Sequence, residues 1–331
     1  MVEQDEKNIC PKISYCMTAD EKGAILTGCY GMDGCIYLPD MVDGLPIVGI
    51  APYGFSDNTG RKLPGHEYVW ESPYVSFLTE EKRLMKEDIT EVYLPRYLQD
   101  VGRYAFYRCK NLRKLSLHND VLEIGGGALN GCISLREIDL YLHEKNAQMS
   151  ALKSIAGEVR YQLYIRFFTK EEKVELLFPE HYEEAVENTP ARILYTSHHG
   201  SGGYYRQCFT DRALDYKKYD ALLPFAMAEE EEADTVRLSL LRLRYPKELG
   251  SAAREAYLAC VKKNLKAAFP FFVDKEDIET FLFLSKEGLL TEELLLYGAD
   301  LAQEAKKTEL LSFFMDERFK LFPKKKKKFS L

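Results

Sequence analysis

The chain has 331 residues, 46% of them hydrophobic and 29% charged, with a net charge of −7 and a mean hydropathy of −0.31. These values suit a folded protein of two domains with a substantial core and argue against wholesale disorder. The acidic balance disfavours nucleic acid as the main partner, and no run of about 18 apolar residues marks a membrane span.

The N-terminal stretch MVEQDEKNICPK is acidic and polar and lacks the basic and apolar segments of an export signal, so a cytoplasmic location is expected. Across residues 12–38, short β-favouring runs (ISYCM, AILTGCY, CIYL) alternate with glycines at 23, 28, 31 and 34, which predicts a hairpin within a cap spanning residues 1–34. Cys10, Cys16, Cys29 and Cys35 show two C-x5-C spacings, wider than the usual zinc pairs, and are expected to be plain thiols.

From residue 35 the chain repeats. Val92/Leu94, Leu115/Leu117 and Ile138/Leu140 recur every 23 residues, as do Gly102/Gly125, Ala105/Ala128, Phe106/Leu129 and Cys109/Cys132. A coil this small cannot bury its apolar side alone, so the spacing predicts stacked coils, strand beside strand at about 4.8 Å, over one continuous core. Gly102 and Gly125 mark tight corners, and Cys109 and Cys132 a buried ladder of small side chains. An earlier unit reads CIYLPDMVDGLPIVGIAPYGF (35–55), lengthened by five residues at 42–46, and residues 59–88, with the single Trp70, read as an insertion.

The stretches EVYLPRYLQDVGRYAFYRCKNL (91–112) and KLSLHNDVLEIGGGALNGCISL (114–135) resemble the BspA-type leucine-rich repeat family. That resemblance implies a β-rich solenoid at 35–178 and either an interaction or a surface-adhesion role. YQLYIRFF (161–168) and KVELLF (173–178) are expected as strands of its last, irregular coils.

Residues 179–212 read as a junction with a helical turn at 182–187, a strand at 191–195 and an exposed glycine-rich loop at 200–203. Beyond it, apolar residues at three- to four-residue intervals predict helices at 252–268, 277–286, 292–297 and 301–319, inside a helical domain at 213–322 followed by a basic tail at 323–331. LLLYGADL (294–301) and a 32-residue echo, Phe281 to Phe313, are similar to ankyrin repeats. The whole chain resembles composite bacterial proteins that join a BspA-type solenoid to a helical tail.

Candidate sites are few. On the strands, the residues facing away from the core form the row Tyr37, Tyr93, Ser116 and Asp139, with His118 and Tyr141 beside it, a candidate protein-binding face. In the junction, His198, His199 and Arg206 flank the glycine-rich loop and could build a phosphate or metal site, although adjacent histidines on an extended backbone point to opposite sides. No G-x-S-x-G elbow or grouped nucleophile and base is present. The acidic run at 229–232 reads as a solvated helix start, and the lysines at 324–328 as a soluble tail with RNA or an anionic membrane as the alternative. The expected class is α+β: a leucine-rich-repeat solenoid followed by a helical repeat domain. It is expected to be a non-enzymatic scaffold with no cofactor or metal and one unidentified protein partner. The competing readings are a ligand-binding protein or enzyme at the 198–206 loop, and a surface adhesin.

Overall fold

The computed structural model describes residues 10–57, 63, 65–73, 82–143, 149–188 and 193–323. The chain forms two compact units, Met1–Leu222 and Leu223–Leu331. The first is a β-solenoid of about five turns and the second is helical.

The first unit opens with β1 (Lys12–Met17), β2 (Ala24–Gly31), β3 (Cys35–Tyr37), β4 (Met41–Val42), β5 (Leu45–Ile50), β6 (Glu67–Glu71), β7 (Lys82–Arg83), β8 (Glu91–Tyr93), β9 (Asp100–Val101), β10 (Lys114–His118) and β11 (Glu137–Tyr141). Helix α1 (Leu152–Glu158) precedes β12 (Leu163–Phe168) and β13 (Lys173–Phe178). Then come β14 (Tyr182–Asn188), β15 (Ile193–His199), α2 (Gly202–Tyr205), β16 (Phe209–Thr210), β17 (Ala213–Leu214) and α3 (Tyr216–Asp220).

The main ladder runs β3-β8-β10-β11-β12, all parallel, and β13 returns antiparallel at its end. Its register follows the sequence spacing: Ile36, Val92, Leu115, Ile138 and Ile165 stand in one buried row. A second, shorter ladder joins β5 to β9 and Val101 to Ile124 on the return side of each coil. The β1–β2 hairpin caps the open end through parallel pairing of β2 with β5, and the inserted β6 extends this cap by pairing with β1.

Each corner explains its residues. A Cβ on Gly125 would lie 2.5 Å from Arg103 N and one on Gly102 2.5 Å from Pro52 N, so close coil stacking, not backbone torsion, demands glycine there. Phe55 stacks on Phe106 at 4.8 Å and Tyr53 on Tyr104 at 5.2 Å. The buried Cys132 thiol donates to Phe106 O at 3.2 Å, and burial pushes it up to about 12.

The last coil is closed by a substitution of side chain for backbone. In earlier coils the N–H groups of Tyr53 and Phe55 reach Arg103 O and Ala105 O, and that of Phe106 reaches Ala128 O. At the final turn the equivalent donors, Gly127 N and Leu129 N, meet the Glu158 carboxylate at 2.6 and 2.8 Å. A carboxylate from α1 thus takes the place of the missing coil's carbonyls and satisfies an otherwise orphaned edge.

Three expectations change in the junction and beyond. Residues 182–188 form a strand, not a helical turn, because they pair antiparallel with β15 in the register Tyr182 to His199. The glycine-rich loop is packed: Ser201 and Gly202 are buried, and a Cβ on Gly202 would lie 2.2 Å from Pro179 O. Residues 213–220 belong with the first unit, where Ala213 bridges Met149 and the Tyr219 hydroxyl donates to Leu177 O at 2.6 Å.

The second unit comprises α4 (Leu223–Glu229), α5 (Glu232–Arg244), α6 (Ser251–Asp274), α7 (Ile278–Lys286), α8 (Glu292–Glu304) and α9 (Thr308–Leu321). Phe269, Phe281 and Phe314 are its fully buried centre, with Phe281 and Phe314 edge to face at 4.7 Å. The stretch LLLYGADL lies inside α8 rather than at a turn. Position 298 is glycine there because the Phe314 ring packs where a Cβ would be, at 2.7 Å.

Candidate functional site

The register places Tyr37, Tyr93, Ser116, Asp139 and Arg166 in one row across the strand face, with His118, Tyr141 and Phe168 beside it. The row faces away from the core, as strand alternation requires, yet its middle is not open. Ser116 is 2% exposed and Asp139 3%. Asp139 accepts from Lys114 Nζ at 3.0 Å and from Arg166 Nε at 2.5 Å, while Arg166 Nη2 also reaches Glu137 at 2.8 Å. Lys114 additionally donates to the Tyr93 hydroxyl at 3.1 Å and lies 4.9 Å from that ring's centre. Long side chains of adjacent strands therefore roof the short ones. Among the described residues the buried Ser116 hydroxyl meets no hydrogen-bond partner.

The ends of the face present rings. Tyr37 and Tyr93 stack at 4.0 Å with a 7° tilt, and burial holds the Tyr93 phenol up at about 12. At the other end Tyr141 stacks on Phe168 at 5.0 Å and touches His118 at 5.1 Å.

His118 Nδ1 and His143 Nε2 sit 2.9 Å apart, so one ring donates and the other accepts. Burial, reinforced by the His143 ring, pulls His118 down to about 4; burial and then Arg206 and Arg160 do the same to His181. Both rings hold protons less tightly folded than unfolded, so the unfolded chain takes up more between pH 6.5 and about 4. Stability consequently falls as pH drops through that window. Allowing for solvent around these half-buried rings, urea titrations are expected to show a loss of roughly 1–2 kcal/mol from pH 7 to pH 5, reduced in His118→Asn. An unchanged midpoint would contradict the burial of these neutral rings.

The junction residues do not converge. On β15 the His198 side chain, 71% exposed, lies 3.5 Å from Glu183, whereas His199 lies 3.5 Å from Glu184 and stacks on Tyr182 at 4.5 Å. Arg206 points inward. Its Nε and Nη2 donate to Val159 O at 3.0 and 2.9 Å, Nη2 also to Tyr161 O at 2.7 Å, and Nη1 to Pro179 O and Gly202 O at 2.6 and 2.9 Å. All five guanidinium N–H groups are committed to main-chain carbonyls. Arg206 is thus a clamp tying its own helix turn to the segments at 159–161 and 179, and of the three candidate loop residues it is the one turned away from His198 and His199. Among the described residues no group of three or more His, Cys, Asp or Glu side chains is arranged to hold a metal ion.

Sequence reasoning missed Arg166 and Phe168. The strand YQLYIRFF was recognised, but β12 follows β11 by 27 residues rather than 23, since α1 intervenes, and only that longer offset aligns Arg166 with Asp139.

Residues 80–156 match the family described as "BspA type Leucine rich repeat region (6 copies)". The match covers the coils that carry β8, β10 and β11, the middle of the strand face. A crystal structure of a T. pallidum leucine-rich repeat protein is similar at 24% identity, covering 38% of this chain and 49% of that one, with a TM-score of 0.28. The chain therefore spans about half the length of that protein. No curated protein matches the chain.

Proposed function

We propose that the protein is a non-catalytic interaction scaffold of the cytoplasm that grips a protein partner with its strand face. The leucine-rich repeat match suggests an interaction or adhesion role. The observation that carries the finer reading is the pair of pre-stacked ring clusters, Tyr37/Tyr93 and Tyr141/Phe168, on a rigid sheet. Rings already fixed by their neighbours lose little freedom on binding, and tyrosine combines apolar area with a hydroxyl. The Lys114, Asp139, Arg166 and Glu137 network between them is internally neutralised, so contact through this face depends on rings and hydrogen bonds, with weak salt dependence.

The test compares proteins retained from extract by wild type, by Tyr93→Ala/Tyr141→Ala and by Ile133→Asp on the exposed return side. A partner held by wild type and Ile133→Asp but reduced at least tenfold by the double variant supports the reading. Retention indifferent to Tyr93 and Tyr141 refutes it.

A further inference from the structure

An open cleft of about 460 Å³ lies at the end of the solenoid, between the return segment of the last coil at 127–133 and the end of α1 with the residues after it, 157–161. That volume is within the range of roughly 300–1,000 Å³ that small-molecule sites occupy. Every lining residue belongs to the first unit.

The cleft marks the place where the return ladder runs out of acceptors. In the coil before, Phe106 N–H reaches Ala128 O and Arg108 N–H reaches Asn130 O, both at 2.9 Å. Their counterparts 23 residues later are Leu129 and Gly131, and Gly131 keeps the left-handed turn of Arg108, with φ of +83° against +60°. Glu158 has only two oxygens, which go to Gly127 N and Leu129 N. Gly131 lines the cleft, and among the described residues its N–H meets no acceptor. The repeat therefore ends on a donor shaped for a carbonyl.

The charge beside that donor is positive. Arg160 lines the cleft with an exposed guanidinium that forms no ion pair or hydrogen bond among the described residues. Arg136 sits 4.3 Å from the ring centre of Tyr161, another lining residue, and its Nη1 donates only to Ile133 O and Leu135 O. The single lining acid is Glu158, already held by two N–H groups. Ile133, 49% exposed, and the Tyr161 ring supply an apolar wall.

An occupant that uses all three features has a carbonyl for Gly131, a carboxylate for Arg160 and an apolar group for the wall. A bare phosphate would leave the wall unused. A peptide strand added to the ladder is blocked, because the Glu158 carboxylate fills the two adjoining positions and leaves the length of one residue. We propose that the cleft binds a small organic carboxylate carrying an amide carbonyl, of the N-acyl amino acid class.

The experiment titrates the full chain, isotope-labelled at glycine, with N-acetyl-leucine and follows the Gly131 amide signal by NMR, to roughly 20 mM because ligands of this size bind weakly. The signal is assigned by its loss in Gly131→Asn, since asparagine tolerates the left-handed turn. The expected result is a saturable shift of the Gly131 amide. Binding falls at least tenfold with the neutral N-acetyl-leucinamide and in Arg160→Gln, and several-fold with N-acetyl-glycine, which lacks the apolar group. Arg160→Gln keeps wild-type circular dichroism, as its side chain holds nothing in place. The proposal is overturned by an unmoved Gly131 signal, by equal binding of the carboxylate and its amide, or by indifference to Arg160→Gln. Inorganic phosphate binding as tightly as N-acetyl-leucine would overturn it too, as would an acetylated hexapeptide ending in leucine that binds over tenfold tighter, which would make the cleft a peptide site.

Discussion

Arg206→Met is expected to lower the unfolding free energy of the first unit by about 3–5 kcal/mol. The side chain's volume is kept, so the loss arises from hydrogen bonds. Carbonyls of Val159, Tyr161 and Pro179 would remain in the interior with these donors gone, while Gly202 O keeps the Arg206 main-chain N–H at 3.1 Å. Each such group costs about 1–3 kcal/mol when left unmet, partly relieved by water that enters as the site relaxes. Arg206→Lys should recover little of it, because a single ammonium cannot reach carbonyls spread around a planar fork. Urea unfolding followed by far-ultraviolet circular dichroism gives the value. A loss below about 1 kcal/mol would mean that the clamp is not what closes this end of the solenoid.

The second large effect lies in the ladder. Leu117→Ala and Leu140→Ala should each destabilise by about 2–5 kcal/mol, since both side chains are fully buried, in register with each other and with Phe167, and adjacent coils cannot close the cavity. Ser116→Ala, one residue away, should be neutral or stabilising by up to about 1 kcal/mol, because it removes a buried hydroxyl that has no partner. The contrast separates the two faces of one strand. Similar losses at positions 116 and 117 would overturn the register.

The solenoid could be read from the chain because a stacked coil repeats its neighbours' environment. Positions 92, 115 and 138 meet the same core, and selection of the same side-chain type at 23-residue spacing is direct physical information about register. The Gly102 and Gly125 corners were legible for the same reason, as each coil presses on the one before. What escaped was set by residues outside the period. The burial of Ser116 and Asp139 depends on Lys114 and Arg166, and Arg166 arrives on a strand displaced by the intervening α1. The clamp at Arg206 draws on carbonyls 27 and 47 residues upstream, a contact that no local pattern encodes. Gly200 to Gly203 looked like exposed linker by composition, although at Gly202 the missing Cβ serves close packing against Pro179. In α8 the GAD triplet resembled a turn, and it is the Phe314 ring, supplied from another helix, that makes the glycine a packing site.

The claim at the centre of this account is that the strand face, and not the return side or the junction, meets the partner. Site-specific photocrosslinking tests it most directly. A photoreactive phenylalanine analogue would be placed singly at Tyr93, at Ile133 and at His198, all on one otherwise unaltered chain. The account predicts a discrete crosslinked species from Tyr93 alone, persisting when salt is raised because the face's own charges are already paired. A crosslink from His198 or Ile133 with none from Tyr93 would contradict it.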